Sequence, residues 1–264
     1  MKFIRFFNGH NIMYGKMDEN GKVNILKENF LNSCCETGET CELKNLKLLP
    51  PVEPNNVIAV GLNYKKHAQE LKETSIQRAS EGINEEYPEI FIKMSHTVIG
   101  QHDAIVYPKS SSRVDYECEL AVIIGRDCYK ACAKESSASI FGYTCLNDVT
   151  ARDLQALNSQ WSRCKNFVSF CPMGPCVETD IDVSNLEMET RVNGITVQHG
   201  RTSDMIFPPA ELVRLISQTI PLKKGDVIAT GTPDGIGPVQ VGDIVEVYIQ
   251  GIGVLRNIVR GEDV

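Results

Sequence analysis

Val114-Asp115-Tyr116-Glu117-Cys118-Glu119-Leu120-Ala121-Val122-Ile123-Ile124-Gly125 reads as one β-strand. Successive side chains on a strand face opposite ways, so Tyr116, Cys118, Leu120, Val122 and Ile124 form one apolar face. Asp115, Glu117 and Glu119 fall on the other, followed by Ala121 and Ile123. Carboxylates crowded on one face of a core-like strand repel each other and need a cation or protonation. Hard oxygen ligands in this number suit Mg²⁺, Mn²⁺ or Ca²⁺ better than zinc. A solvated strand face near a sheet edge would tolerate the same acids, and this segment alone leaves the two readings equal.

A second acidic signal lies downstream. The strand-like run 141–146 leads into Asn147-Asp148-Val149-Thr150-Ala151-Arg152-Asp153-Leu154-Gln155, where Thr150 followed by Asp153 resembles a capping box. Asp148 then sits where a strand stops and a helix starts, a place from which side chains project into clefts. A simple capping role for Asp148 is the commoner local pattern. Arg152 and Gln155, three apart, share one helix face. An arginine so placed can hold a carboxylate through two parallel hydrogen bonds.

Working outward, strand-like runs dominate: EIFIKM, MGPCVET, METRVNG, ITVQHG, DVIATG and DIVEVYIQG. Asn193-Gly194 between two alternating runs is a hairpin signal. Helical patterns are few: near 64–72, near 150–158, and 209–220, the last with proline near its start and Leu212, Leu215 and Ile216 at helical spacing. The expected fold is β-rich α+β rather than a βαβ alternation. Residues 1–50 read as a small N-terminal β-rich domain, closed by the proline-rich stretch Leu49-Pro50-Pro51-Val52-Glu53-Pro54, and 56–264 as the main domain.

The net charge of −7 opposes nucleic acid and anionic membrane as partners, and no apolar stretch is long enough to cross a bilayer. The N-terminal segment has no signal-peptide pattern, which points to a cytoplasmic protein. Without a secretory signal the ten cysteines read as reduced, mostly buried small hydrophobes; zinc-ribbon spacing is absent.

Five motifs in order, DYECEL, NDVTARDLQ, SRCKNFVSFCPMGP, the stretch from Asn193-Gly194 through DMIF, and GDVIATGTPDGIGP, resemble the fumarylacetoacetate hydrolase family from about residue 56 to the C-terminus. The N-terminal unit resembles the appendage of small bacterial-type members. The resemblance implies a mixed β-sandwich or β-roll with few helices. It further implies Mg²⁺ or Mn²⁺ on Glu117, Glu119 and Asp148, with Asp115 not a usual ligand. It casts Lys165 as the cation that stabilises an enolate or orients the nucleophile. Asn63-Tyr64-x-x-His67-x-x-Glu70 matches the family's lid base, with Glu70 orienting His67, and the polar stretch 72–88 would be the lid. Thr232 matches a threonine that binds the substrate carboxylate; Arg152 and Gln155 match substrate-contact positions. The implied substrate is a small 2-oxo acid, and the implied assembly a homodimer.

The implied reaction is hydrolytic C–C cleavage of an acylpyruvate- or fumarylpyruvate-type β-dicarbonyl through an enolate. Isomerisation, decarboxylation or tautomerisation of a 2-hydroxy-dienedioate or oxaloacetate-type diacid uses the same site and is the alternative. A metal-binding scaffold without turnover would need a broken motif, and none of the matched positions is broken.

Overall fold

The computed structural model describes residues 1–18, 20–73, 84–157 and 160–263. Its strands form one large sheet, a five-stranded sheet and a three-stranded sheet, with five short α-helices among the described residues. This is the β-rich α+β architecture expected from the strand-like runs.

The strand Cys118–Ile124 lies inside the large sheet, antiparallel to both Ile140–Asn147 and Val227–Ala229. Every residue of it is buried, so both faces need apolar side chains, and the continuous run supplies them. Cys118 and Leu120 pack with Ile249 and Leu255 of the five-stranded sheet. Ala121 and Ile123 face the opposite layer, with Phe3, Phe30 and Val57. Val122 and Ile124 are covered by Leu212 and Ile216 of the helix Pro209–Ser217. A solvated acidic edge is therefore not where Glu119 lies.

The single strand expected over 114–125 is divided at Glu117. Val114–Tyr116 belongs to the three-stranded sheet, between Thr150–Ala151 and Gly237–Pro238, whereas Cys118–Ile124 belongs to the large one. Side chains occupy the backbone donors at the break: Asn147 Oδ1 accepts from Glu117 N–H and Gln198 Oε1 from Cys118 N–H. Tyr116 accordingly packs in a different apolar cluster from Cys118 and Leu120.

The capping box read at Thr150 and Asp153 does not form. Thr150 is a strand residue paired with Asp115, and its hydroxyl bonds Glu117 Oε1 and the Asp148 carbonyl. Asp153 instead accepts hydrogen bonds from Ser111 and Ser112, and the helix spans Arg152–Leu157. Two further short helices, Ala133–Ser139 and Ser162–Lys165, carry no strong periodicity in the sequence.

The N-terminal strands extend the large sheet. Lys2–Phe7 pairs with Cys171–Glu178 through Lys2↔Glu178 and Phe3↔Val177. The rings of Phe3, Phe30 and Phe141 pack in a triangle, with Phe30 5.4 Å from each of the others and Phe3 5.6 Å from Phe141. Arg5, on that strand, reaches Glu53 at 2.7 Å and so fastens the proline-rich segment to it. The Asn193-Gly194 turn joins Glu187–Val192 to Ile195–Arg201 with φ of 51° and 81°, the paired positive values a tight hairpin requires.

Candidate active site

Two chain segments bring the carboxylates together. Glu117 occupies the break between sheets, Glu119 the next inward-facing position, and Asp148 the residue after the strand Ile140–Asn147 ends. Asp148 N–H donates to the Glu117 carbonyl at 3.0 Å, which locks the two corners together. Carboxylate oxygens of Glu117, Glu119 and Asp148 lie within 4.8 Å of one another, and all three residues are buried.

Cations answer two of the three acids. Lys165 Nζ donates to Glu117 Oε2 at 2.8 Å and to Asp148 Oδ2 at 2.6 Å. Lys93 Nζ, fully buried, donates to Asp148 Oδ1 at 2.6 Å and to the Lys165 carbonyl at 2.7 Å. Arg152 Nη2 donates to Glu117 Oε1, Nε to Asp115 Oδ2 and Nη1 to Gln155 Oε1. Asp115 is thus held between Arg152 and Arg113 and takes no place among the three clustered acids.

Burial alone would raise the Glu117 carboxyl, but the charges of Lys165 and Arg152 outweigh it and hold the group well below its ordinary value. Burial opposes charge on Lys165 as well, yet Asp148 and Glu117 raise its ammonium above the usual lysine value. Glu119 goes the other way. Burial first, then the neighbouring charges of Asp148 and Glu117, push it well up. Among the described residues its one hydrogen-bond donor is the Gly231 N–H, 2.8 Å from Oε2. A buried carboxyl with one donor, facing two more carboxylates, is short of positive charge, and the donor set is all oxygen. These residues fit a hard divalent cation.

Another group, Glu187, Glu189 and His199, also clusters its ligand atoms. Both nitrogens that Arg191 offers bond the Glu189 carboxylate there, and the group is not enclosed, so it lacks the charge deficit that distinguishes Glu119.

The acids face a small cavity. Of the residues proposed from sequence, His67, Lys165, Arg152, Gln155 and Thr232 line it together with Glu117, Glu119 and Asp148. Glu70 stands behind His67: its Oε2 is 3.2 Å from His67 Nδ1, and the Gly235 N–H donates to its Oε1 at 3.1 Å. A carboxylate accepts, so Nδ1 carries a proton, and in the neutral ring the lone pair is then on Nε2. Most of the lid expected over 72–88 lies outside the described residues.

The apolar wall is Phe91 and Trp161, edge-on at 5.1 Å, with Lys165 Nζ 5.1 Å from the Phe91 ring centre. Gly61 lets Trp161 approach; a Cβ there would lie 2.6 Å from the indole Cζ3. Of the buried polar residues around the site, Lys93 belongs to no motif read from the sequence, while Asn63 and Gln198 fall inside the family motifs without a role of their own. Asn63 bonds Phe207 and the Thr230 carbonyl, bracing the loop that bears Thr232. The one local signal for Lys93 is a lysine closing the apolar run Glu89–Lys93, where a solvated strand end is the ordinary reading.

Comparison with known proteins accords with this geometry. The family described as Fumarylacetoacetate (FAA) hydrolase C-terminal matches residues 56–260, and that described as Rv2993c-like, N-terminal matches 1–51. An uncharacterized protein of Archaeoglobus fulgidus is 50% identical over 83% of this chain and 84% of its own length. Oxaloacetate tautomerase Fahd2a, mitochondrial, of Rattus norvegicus is 40% identical over 80% of the chain and 68% of its own length. The crystal structure of 5-carboxymethyl-2-hydroxymuconate delta-isomerase from Mycobacterium smegmatis superposes with a TM-score of 0.90 at 35% identity, over 99% of this chain and 100% of that one. A cavity holding three convergent carboxylates, on this sheet order and in this sequence company, places the chain in the fumarylacetoacetate hydrolase family, whose members are hydrolases, isomerases and tautomerases.

Proposed function

We propose that the chain catalyses proton transfer at C3 of a small 2-oxo acid by way of its enolate, as in tautomerisation of an oxaloacetate-type substrate. The observation that carries this reading is the Glu70-oriented imidazole of His67 lining the same cavity as Glu117, Glu119 and Asp148. Glu117, Glu119 and Asp148 would hold Mg²⁺ or Mn²⁺, which when bound supplies Lewis acidity to the 2-oxo oxygen.

The protein's own groups do the rest. His67 Nε2 takes the C3 proton, the C–H pair becomes the C2=C3 bond, and negative charge gathers on the oxygen of C2. Lys165 places an ammonium beside that charge, and Thr232 with the neighbouring backbone binds the carboxylate. Return of a proton from His67 to the oxygen or to C3 completes either direction. Phe91 and Trp161 keep water from that side of the cavity.

A second reading is favoured by the family match over 56–260. In it His67 takes a proton from water that attacks the distal carbonyl of an acylpyruvate, and the C3–C4 bond breaks to release pyruvate enolate. Enol-to-keto conversion of oxaloacetate, followed by ultraviolet absorbance with Mg²⁺ or Mn²⁺, separates the two when set beside acetate release from acetylpyruvate. Faster tautomerisation with negligible acetate release supports the first reading. Acetate release as the dominant activity overturns it in favour of the second.

A further inference from the structure

We infer that Gln198 is a positioning residue that forces the Thr232 hydroxyl to present its proton to the cavity, as a donor to the substrate carboxylate. The inference rests on the reading of Thr232 as a carboxylate-binding group given above.

Gln198 is buried in the strand Ile195–Arg201 and all of its amide is engaged. Oε1 accepts from Cys118 N–H at 3.0 Å and from the Thr190 hydroxyl at 2.9 Å. Nε2 donates to the Pro233 carbonyl at 2.8 Å and to Thr232 Oγ1 at 2.7 Å. The amide's orientation is dictated by chemistry: a backbone N–H on one side accepts no donor, and a backbone carbonyl on the other accepts no acceptor. Turned over, the amide would bury two clashing pairs.

The consequence falls on Thr232. A hydroxyl has one proton and two lone pairs, and one lone pair is taken by the Gln198 N–H. Its proton is therefore excluded from that direction, and among the described residues no protein acceptor takes it. Thr232 is 2% exposed and lines the cavity, so the proton is available to a ligand. Close packing keeps the geometry tight. A Cβ on Gly200 would lie 2.5 Å from the Pro233 Cβ, so the hairpin strand and the Thr232 loop touch with no side chain between them.

The same amide also fixes Cys118 N–H at the strand break between Glu117 and Glu119. One side chain thus spans the acids and the carboxylate-binding loop. Its energetic weight lies with Thr232, because Glu117 and Asp148 keep their own cations whatever Gln198 does.

The test uses the full chain saturated with Mn²⁺ and titrated calorimetrically with oxalate, which carries the paired oxygens of a 2-oxo acid. Gln198→Met should weaken oxalate binding about tenfold, the scale of one hydrogen bond to a charged group, with Mn²⁺ affinity little changed. Thr232→Val should weaken it similarly, and Gln198→Met added to Thr232→Val should cost little more. Losses that multiply, or Mn²⁺ affinity falling in step with oxalate, overturn the proposal.

Gln198→Glu is the second variant, because its carboxyl keeps an oxygen for Cys118 N–H and can donate to Thr232 only while protonated. Its oxalate affinity relative to wild type should hold at low pH and fall as pH rises; a ratio independent of pH overturns the inference. Failure of the wild-type Mn²⁺ form to bind oxalate removes the functional reading and this inference together. Oxalate binding that ignores Gln198 removes this inference alone.

Discussion

Lys93 and Asp148 meet at 2.6 Å inside the protein, with Lys93 0% exposed, and the same ammonium donates to the backbone carbonyl of Lys165. One buried cation therefore fixes both an acid of the cluster and the end of the short helix that carries Lys165. Removing one partner of a buried pair leaves the other charge uncompensated. Lys93→Ala should destabilise the fold by about 3–5 kcal/mol, measured by urea denaturation. A change below about 1 kcal/mol, the scale of a surface pair, would show that the contact is not maintained in solution.

Glu117→Ala and Asp148→Ala each remove one of three clustered acids; Glu117→Ala leaves Lys165 with Asp148 and Arg152 with Asp115, whereas Asp148→Ala takes the carboxylate partner from Lys93. Mn²⁺ affinity should fall by more than the ~10–100-fold typical of losing an outer partner. Calorimetry with Mn²⁺ alone checks this without any substrate. Affinity within a fewfold of wild type for both variants would remove the cation site from these residues.

Glu119 sets a pH dependence whose sign follows from its raised carboxyl. Between the ordinary glutamate value of 4.5 and the raised one, the folded state holds a proton that the unfolded state has lost. Stability of the metal-free protein then falls as pH rises through that window. Glu117, held low, acts oppositely: its contribution is present above 4.5 and is lost as pH falls through its lowered value. Binding a divalent cation displaces the Glu119 proton, so the thermal stabilisation by Mn²⁺ should grow from pH 5 to pH 8. A Mn²⁺-induced Tm shift that is flat across that range would contradict the assignment of Glu119 as a protonated ligand.

His67→Ala should lower turnover by about 10²–10⁴-fold, the range of a single general base, while leaving oxalate and Mn²⁺ binding nearly intact. Steady-state rates beside calorimetry on the same sample make the comparison. Equal losses in binding and turnover would mean that His67 shapes the cavity rather than moves a proton.

Gly61→Ala would drive a methyl into the chain's one tryptophan, with 2.6 Å from the built Cβ to the Trp161 ring. Overpacking of this kind costs about 1–3 kcal/mol. Because Trp161 is the single indole, its displacement should appear as a shifted emission maximum together with the lowered stability. An unchanged spectrum would place Trp161 elsewhere in solution.

Much of this protein is written locally. Alternation marks 114–125 as strand, and Asn193-Gly194 marks the hairpin between Glu187–Val192 and Ile195–Arg201, because side-chain parity and turn conformation depend on near neighbours. Ordered motifs likewise group Glu117, Glu119, Asp148, His67, Lys165 and Thr232 by family resemblance, and these residues line one cavity. What the tertiary structure alone decided is how those groups are wired. The break at Glu117 depends on Asn147 and Gln198 occupying backbone donors from 30 and 80 residues away. Lys93 becomes a partner of Asp148 across 55 residues, and among the described residues no cation pairs with Glu119, because Lys93, Lys165 and Arg152 bond other acids. Charge balance in a buried site is a sum over the whole neighbourhood, and no local pattern along the chain contains that sum.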